Sequence, residues 1–91
     1  MSDTAEKVFT IKNRLGLHAR AASQFVQVAT KYGSEVFVRK GEQEVNGKSI
    51  MGILILAASK GSEITVRTEG EDADQALNAL GELIDSGFGE D

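Results

Sequence analysis

The sequence predicts an α+β fold, α/β in the broad sense, of the open-faced sandwich type: a four-stranded antiparallel sheet covered on one side by helices. Four short segments alternate apolar and polar residues, as strands with one covered face do. Three others repeat their apolar residues every three or four positions, as amphipathic helices do. Because such short strands cannot enclose a core alone, helices must cover the sheet. The predicted order is β-α-β-β-α-β-α, in a single domain spanning residues 1–91.

The first two elements are predicted to be a strand and an amphipathic helix. Residues 7–11 alternate in polarity, which places Phe9 and Ile11 on the inward face. From residue 19 to residue 31 the period becomes helical, and Gly33 is placed to end the helix. The predicted buried stripe of this helix comprises Ala22, Phe25, Val26 and Ala29.

A hairpin and a short helix come next. Residues 35–40 and 43–46 have strand patterns, and Gly41-Glu42 would join them in a tight turn. Ser49 is then placed to cap a short helix whose first turn is apolar and accessible. Ile53 is expected in the core, and the other apolar residues of this helix are Ile50, Met51, Leu54 and Ile55.

The last strand and the last helix follow a turn at Lys60-Gly61. Residues 63–68 alternate in polarity, with Ile64 and Val66 facing inward. After Gly70, two acidic residues suit the positively polarised start of a helix that ends near Gly87. The predicted buried stripe of this helix comprises Ala73, Ala76, Leu77, Leu80 and Ile84.

Composition restricts the classes of protein to which this chain can belong. Its 91 residues suit one domain with one modest core, and a content of 41% hydrophobic and 26% charged residues is typical of an ordered chain. The absence of cysteine excludes disulfides, thiolate chemistry and cysteine-based zinc sites. Residues 53–58 form the longest apolar stretch, which is too short to span a membrane, and the N-terminus lacks a signal-peptide pattern. We therefore expect a cytoplasmic protein.

Charge is distributed unevenly along the sequence. The formal net charge of −4 argues against general nucleic-acid binding, which depends on clustered lysine and arginine. Acidic residues crowd the last third of the chain, whereas three basic residues surround the single histidine, His18: Lys12, Arg14 and Arg20. This one region is suited to meet a negatively charged group.

His18 falls where the first helical pattern begins. The first amides of a helix lack intrahelical partners and, with the helix dipole, favour an anion such as a phosphoryl group on the histidine. Gly16 would allow a tight approach of the backbone, and Arg20 could bring its guanidinium to the phosphoryl oxygens. The residues alone leave open a plain helix cap beside two arginines. No second acid, base or metal cluster is evident, which suits a carrier better than a hydrolase.

Four separated segments then match a known protein pattern in the same order. They are residues 13–22 (NRLGLHARAA), 46–52 (NGKSIMG), 60–64 (KGSEI) and 76–80 (ALNAL). Together they resemble the HPr family, the histidine phosphocarriers of bacterial phosphotransferase systems. The resemblance extends over nearly the whole chain.

The resemblance implies a function and named partners. His18 would be phosphorylated on Nδ1 by enzyme I, which draws the phosphoryl group from phosphoenolpyruvate, and a IIA-type protein would accept it. Arg20 matches the phosphate-site arginine of the family. The protein would then be a carrier without cofactor or metal, and not an enzyme. Ala21 stands where the family usually has proline, which leaves the geometry of the helix cap less well determined.

Ser49 matches a regulatory phosphorylation site of the family, which would be served by an HPr serine kinase/phosphorylase. The residue pattern alone favours a simple helix cap, and both roles can hold together. The spacing Gly41 to Gly47 does not fit a nucleotide-binding P-loop. The resemblance also implies a docking patch for partners, which comprises Leu17, Ile50, Met51 and Leu54.

The sequence leaves the branch of the family open. The segment 13–18 and the tail 85–91 are similar to the nitrogen-related branch, NPr, whereas residues 46–52 resemble the forms that serve sugar uptake. An interaction module without phosphate is disfavoured by the presence of both His18 and Arg20, and no constellation for a small-molecule ligand is evident elsewhere. We expect a monomer, because the apolar patch is small and suits transient docking.

Overall fold

A computed structural model describes residues 3–90 and confirms the predicted fold class and order of elements. The four strands are β1 (Thr4–Thr10), β2 (Glu35–Lys40), β3 (Gln43–Asn46) and β4 (Glu63–Glu69). The helices are α1 (Ala19–Ala29), α2 (Ile50–Ile55) and α3 (Ala73–Asp85), and a 3₁₀ turn follows at Gly87–Gly89. All neighbouring strands are antiparallel, in the spatial order β1-β4-β2-β3.

One apolar cluster joins the inward face of the sheet to the helices. Val38 of β2 lies opposite Val66 of β4 and Val45 of β3, and Phe9 of β1 lies opposite Ile64. These strand residues pack with the buried stripes of α1 and α3 and with Ile53 of α2. Complete burial of such side chains stabilises the fold by about 1.5–3 kcal/mol each. The largest helical contributors are Phe25, Ile53, Leu80 and Ile84.

The edge strand β1 is longer than predicted at its start. Its pairing with β4 extends from Thr4 opposite Glu69 to Thr10 opposite Glu63. The first residues of the strand pair through backbone hydrogen bonds, which need no alternation of apolar residues. The sequence pattern therefore did not predict them. Ile11 follows the strand but is buried as predicted, and its carbonyl accepts a hydrogen bond from the Gly61 amide at 2.8 Å.

Helix α1 ends two residues earlier than predicted, and Gly33 does not end it. Thr30 is the C-cap, with right-handed backbone angles, and the last turn tightens through the bond from the Lys31 amide to the Val28 carbonyl. The Gly33 amide instead donates to a carboxylate oxygen of Asp72 at 2.9 Å. Val26 and Leu77, both assigned to buried stripes, are only half-buried at the rim of the core.

Candidate functional site

His18 is the N-cap of helix α1. Its backbone is extended, with φ −78° and ψ −178°, and its ring nitrogen Nδ1 accepts a hydrogen bond from the Arg20 amide at 3.3 Å. The first intrahelical bond runs from the Ala22 amide to the His18 carbonyl at 2.8 Å. The first turn contains no acidic side chain, so nothing within the helix neutralises its positively polarised end.

A tight turn delivers the chain to His18. Gly16 has φ +64°, and a Cβ atom there would lie 2.3 Å from the Ala58 carbonyl oxygen, so only glycine fits. The next amide, that of Leu17, donates to the same Ala58 oxygen at 2.9 Å. The approach to the helix is thereby fastened to the connection between α2 and β4.

This attachment corrects the assignment of Leu17 to the docking patch. Only 4% of its surface is exposed, and its side chain belongs to the core cluster. The close approach of the two loops at Gly16 turns this side chain inward, which the alternation of the sequence does not reveal. Leu15, two residues earlier, is 66% exposed and supplies the apolar surface beside His18 instead.

A carboxylate from the far end of the chain contacts the histidine ring. Glu90 Oε2 lies 2.7 Å from His18 Nε2, and Glu90 Oε1 accepts a hydrogen bond from Asn13 Nδ2 at 3.2 Å. The expectation that no second acid accompanies His18 is therefore wrong. Seventy-two positions separate the two residues, so no local spacing could have joined them.

The contacts of the ring assign its neutral tautomer. A backbone amide always donates, so the bond from Arg20 requires an unprotonated Nδ1. The proton then lies on Nε2 and is donated to Glu90. The unprotonated nitrogen is thus the one that faces the start of the helix.

Charged side chains line the surface depression that contains the His18 ring. A shallow depression of about 280 Å³ is lined by Arg14, Leu15, His18, Arg20 and Glu90. The hydrogen bond from Asn13 foremost, and then the contact with His18 and the charge of Arg20, hold the pKa of Glu90 below its ordinary value. Lys12, which the sequence grouped with this cluster, lies 3.6 Å from Asp85 in an exposed ion pair.

Ala21 occupies the position at which the sequence departs from the family pattern. It lies in the first turn of α1 and its side chain is completely buried. Its amide is one of those at a helix start that have no partner within the helix, so proline at this position would sacrifice no intrahelical bond.

Helix α2 presents a second capped start. Ser49 is its N-cap, and the Ser49 hydroxyl oxygen accepts a hydrogen bond from the Gly52 amide at 3.1 Å. Ile50 and Met51 are exposed, at 42% and 68%, as expected for an accessible first turn. Leu54 is half-buried against the core, so it contributes only an edge to this surface. Ile55, outside the expected patch, is exposed.

Residues 3–90 contain neither a metal-binding cluster nor a membrane-spanning helix. Within this part of the chain, no group of three or more histidine, aspartate or glutamate side chains is placed to hold a metal ion. None of its helices combines the length and the apolar character needed to cross a bilayer. A depression larger than the one at His18, of about 410 Å³, lies beside β2 and β3, but its lining contains no histidine or hydroxyl nucleophile.

Comparison with known proteins places this geometry in one family. Residues 5–86 match the family model described as the PTS HPr component phosphorylation site. The chain is 56% identical over 82 residues to the phosphocarrier protein HPr of Pseudomonas aeruginosa, with 89% of this chain and 91% of the relative covered. It is 40% identical over 85 residues to the phosphocarrier protein NPr of Shewanella violacea, with 93% of each chain covered.

The fold agrees with that of a solved relative. The structure of HPr from Thermoanaerobacter tengcongensis superimposes with a TM-score of 0.92 at 47% identity, and the match covers 96% of this chain and 98% of the other. The similarity therefore includes the three-dimensional arrangement as well as the sequence.

Proposed function

This chain belongs to the HPr family of phosphocarrier proteins of the phosphotransferase system, and from that premise we propose that His18 carries the phosphoryl group. In this proposal His18 Nδ1 receives the group from phosphorylated enzyme I, which is charged by phosphoenolpyruvate. A IIA-type protein then accepts it. The protein acts in the cytoplasm as a monomeric covalent carrier and not as an enzyme.

The observation that carries the proposal is the direction of the His18 lone pair. Nδ1 faces the first turn of α1, which has no acidic side chain of its own, and the Glu90 carboxylate contacts the other ring nitrogen. A phosphoryl group on Nδ1 would lie at the helix N-terminus, which favours negative charge. The exposed side chains of Arg14 and Arg20 line the same depression, and the Arg20 guanidinium can bond the phosphoryl oxygens.

The transfer step needs no proton movement on this chain. The Nδ1 lone pair attacks phosphorus while the bond from phosphorus to the donor group of enzyme I breaks, and that group keeps the bonding electron pair. Since Nδ1 carries no proton beforehand, none leaves the ring, which becomes positively charged. Delivery to the acceptor reverses the step, and the electron pair of the N–P bond returns to Nδ1.

Labelling tests the proposal directly. Incubation with enzyme I and radiolabelled phosphoenolpyruvate should give an acid-labile adduct on the wild-type protein. We expect the His18→Ala variant to lose all labelling, whereas Ser49→Ala, which removes the other candidate phosphorylated side chain, should be labelled at the wild-type rate. Labelling of His18→Ala equal to that of the wild type would contradict the proposal.

We further propose that Ser49 is a regulatory site, phosphorylated by an HPr serine kinase/phosphorylase. Its position supports this role, because a phosphate with a charge of about −1.5 to −2 is tolerated at the start of a helix. The same charge beside the exposed Ile50 and Met51 would oppose an acidic or apolar partner surface docking there. We expect Ser49→Asp to accept phosphate from enzyme I more slowly than Ser49→Ala, and equal rates would count against the proposal.

The acceptor distinguishes the two branches of the family. A sugar-type role requires transfer to a IIA protein of a sugar transporter, and a nitrogen-type regulatory role requires transfer to a nitrogen-type IIA protein. Phosphorylated wild-type protein offered to one acceptor of each type should discharge faster to its own partner. The relative rate assigns the branch.

A further inference from the structure

The C-terminal turn is built to return the chain to His18. The side chain of Phe88 is buried in the core, only 3% exposed, although its backbone has φ +57°. Gly87 and Gly89 on either side have φ +67° and +73°. Three successive residues with positive φ form the turn after α3, which the bond from the Glu90 amide to the Gly87 carbonyl closes at 2.9 Å. Burial of the aromatic ring offsets the strain at Phe88.

Asn13 fixes the carboxylate that this turn delivers. Its side chain is completely buried, and its Nδ2 donates both to the Gly16 carbonyl at 2.8 Å and to Glu90 Oε1 at 3.2 Å. Both partners are acceptors, so the amide group can take only this orientation. Among residues 3–90 its Oδ1 has no hydrogen-bond partner, an unfavourable arrangement that the two donated bonds must outweigh.

We propose that Glu90 is a positioning residue that holds the proton of the His18 ring on Nε2 and so keeps the Nδ1 lone pair available to accept and release the phosphoryl group. This inference rests on the proposed function. Each carboxylate oxygen has one partner, with Oε1 bound to Asn13 and Oε2 to His18 Nε2 at 2.7 Å. A fixed acceptor at one ring nitrogen selects the tautomer in which the other nitrogen is unprotonated.

The same contact stabilises the phosphorylated ring. Formation of the Nδ1–P bond leaves one positive charge on the ring and the proton on Nε2, which then faces the Glu90 carboxylate in a charge-assisted hydrogen bond. The pKa of Glu90 lies below its ordinary value of 4.5, so this carboxylate is ionised at neutral pH. The charged groups near this carboxylate are the phosphorylated ring and Arg20, and Arg14 lines the same depression.

Replacement by glutamine gives a sharper test than removal. In Glu90→Gln the bond donated by Asn13 would select the amide oxygen, which leaves the amide NH₂ facing His18 Nε2. Nε2 would then face a donor, which favours the tautomer with the proton on Nδ1 in opposition to the Arg20 amide, and the fraction of rings with a nucleophilic Nδ1 would fall. In Glu90→Ala the ring is merely released. A positioning role therefore orders the transfer rates as wild type, then Ala, then Gln, whereas a merely structural role would favour Gln over Ala.

The experiment combines a spectroscopic and a kinetic readout. The ¹⁵N shifts of the His18 ring, measured on the unphosphorylated full chain at a pH where the ring is neutral, report which nitrogen carries the proton. We expect the ratio of the Nε2–H to the Nδ1–H tautomer to fall about tenfold in Glu90→Gln, and single-turnover transfer from phosphorylated enzyme I to slow by a similar factor. Glu71→Gln, which removes the same charge at the opposite end of α3, should match the wild type in both.

Two results would overturn the inference. The first is an unchanged tautomer ratio in Glu90→Gln, and the second is faster transfer in that variant, which would mean that the carboxylate obstructs the site. Neither result bears on whether His18 is the carrier. A wild-type protein that is not phosphorylated on His18 would instead contradict the proposed function, while the tautomer measurement would retain its meaning because it needs no phosphoryl donor.

Discussion

Helices α1 and α3 begin in closely similar ways and yet differ in the charge of the side chains at their starts. In each, a glycine with positive φ stands two residues before the N-cap: Gly16 before His18, and Gly70 before Asp72. Each glycine also lies against another loop, since a Cβ on Gly16 would strike the Ala58 carbonyl and one on Gly70 would lie 2.6 Å from Ser34 Oγ. At both helix starts, a glycine therefore allows the chain to pack closely against a neighbouring loop.

The difference lies in the charge at the cap. At α3, Asp72 bonds to the Ser34 hydroxyl and to the amides of Gly33 and Ser34, and Asp74 places a second carboxylate in the first turn. At α1, the first turn has no acidic residue and the cap is an imidazole. Although Asp72 makes no side-chain bond to the first amides of α3, it and Asp74 place negative charge at that helix start. The first turn of α1 has no such charge, and Glu90 contacts Nε2 of its cap rather than Nδ1, so Nδ1 is left to an external anion.

The largest expected effect comes from Gly16→Ala. Backbone strain and the clash with Ala58 should lower the free energy of unfolding by about 2–4 kcal/mol and displace His18, so that transfer per folded molecule also falls. Denaturant unfolding and single-turnover labelling measure the two effects. Gly70→Ala should lower the free energy of unfolding by a similar amount, but its folded molecules should transfer at the wild-type rate. If both variants lose transfer equally, the two helix starts do not differ in function.

Arg20→Gln should separate function from stability at α1. Loss of a charge-assisted bond to the phosphoryl group should slow transfer about 10- to 100-fold, while the free energy of unfolding changes by no more than about 0.5 kcal/mol because the side chain is exposed. Lys31→Gln removes the same charge just beyond the other end of this helix and should leave transfer at the wild-type rate. If both variants slow transfer equally, the slower transfer results from the change in net charge and not from a bond between Arg20 and the phosphoryl group.

Asp72→Asn should have the opposite profile, with lower stability and a transfer rate within about twofold of the wild type. The hydrogen bond from the Ser34 hydroxyl foremost, and then the Gly33 amide, hold the pKa of Asp72 below its ordinary value of 3.8. Its contribution to stability is therefore complete above about pH 5 and is lost as the pH falls through the folded-state pKa.

Thermal melts as a function of pH test the role of Asp72. The deficit of Asp72→Asn in melting temperature should be largest at neutral pH and should narrow below pH 3.8, the ordinary value for this carboxyl. Asp74→Asn, in the exposed first turn of the same helix, serves as the matched control and should show a smaller deficit. A deficit that does not vary with pH would mean that the carboxylate charge is not what stabilises this helix start.

Local patterns in the sequence predicted most of the elements and the position of His18. Strand and helix periods depend on which residues are apolar, and the caps at His18 and Ser49 depend on residue type at a helix start, so both are visible along the chain. Boundaries were less well predicted where backbone pairing extends beyond the apolar pattern, as at Thr4 in β1. The family resemblance, rather than any spacing, supplied the phosphocarrier role.

The sequence by itself determined the sheet, the helices and a histidine at a helix start, because these follow from local periodicity and local chemistry. Only the tertiary structure decided what surrounds that histidine. It buried Leu17, which had been assigned to the surface, and it brought Glu90 to Nε2 through the turn anchored by Phe88. Contacts between residues tens of positions apart depend on how the elements pack, and local periodicity along the chain does not predict which of these residues meet.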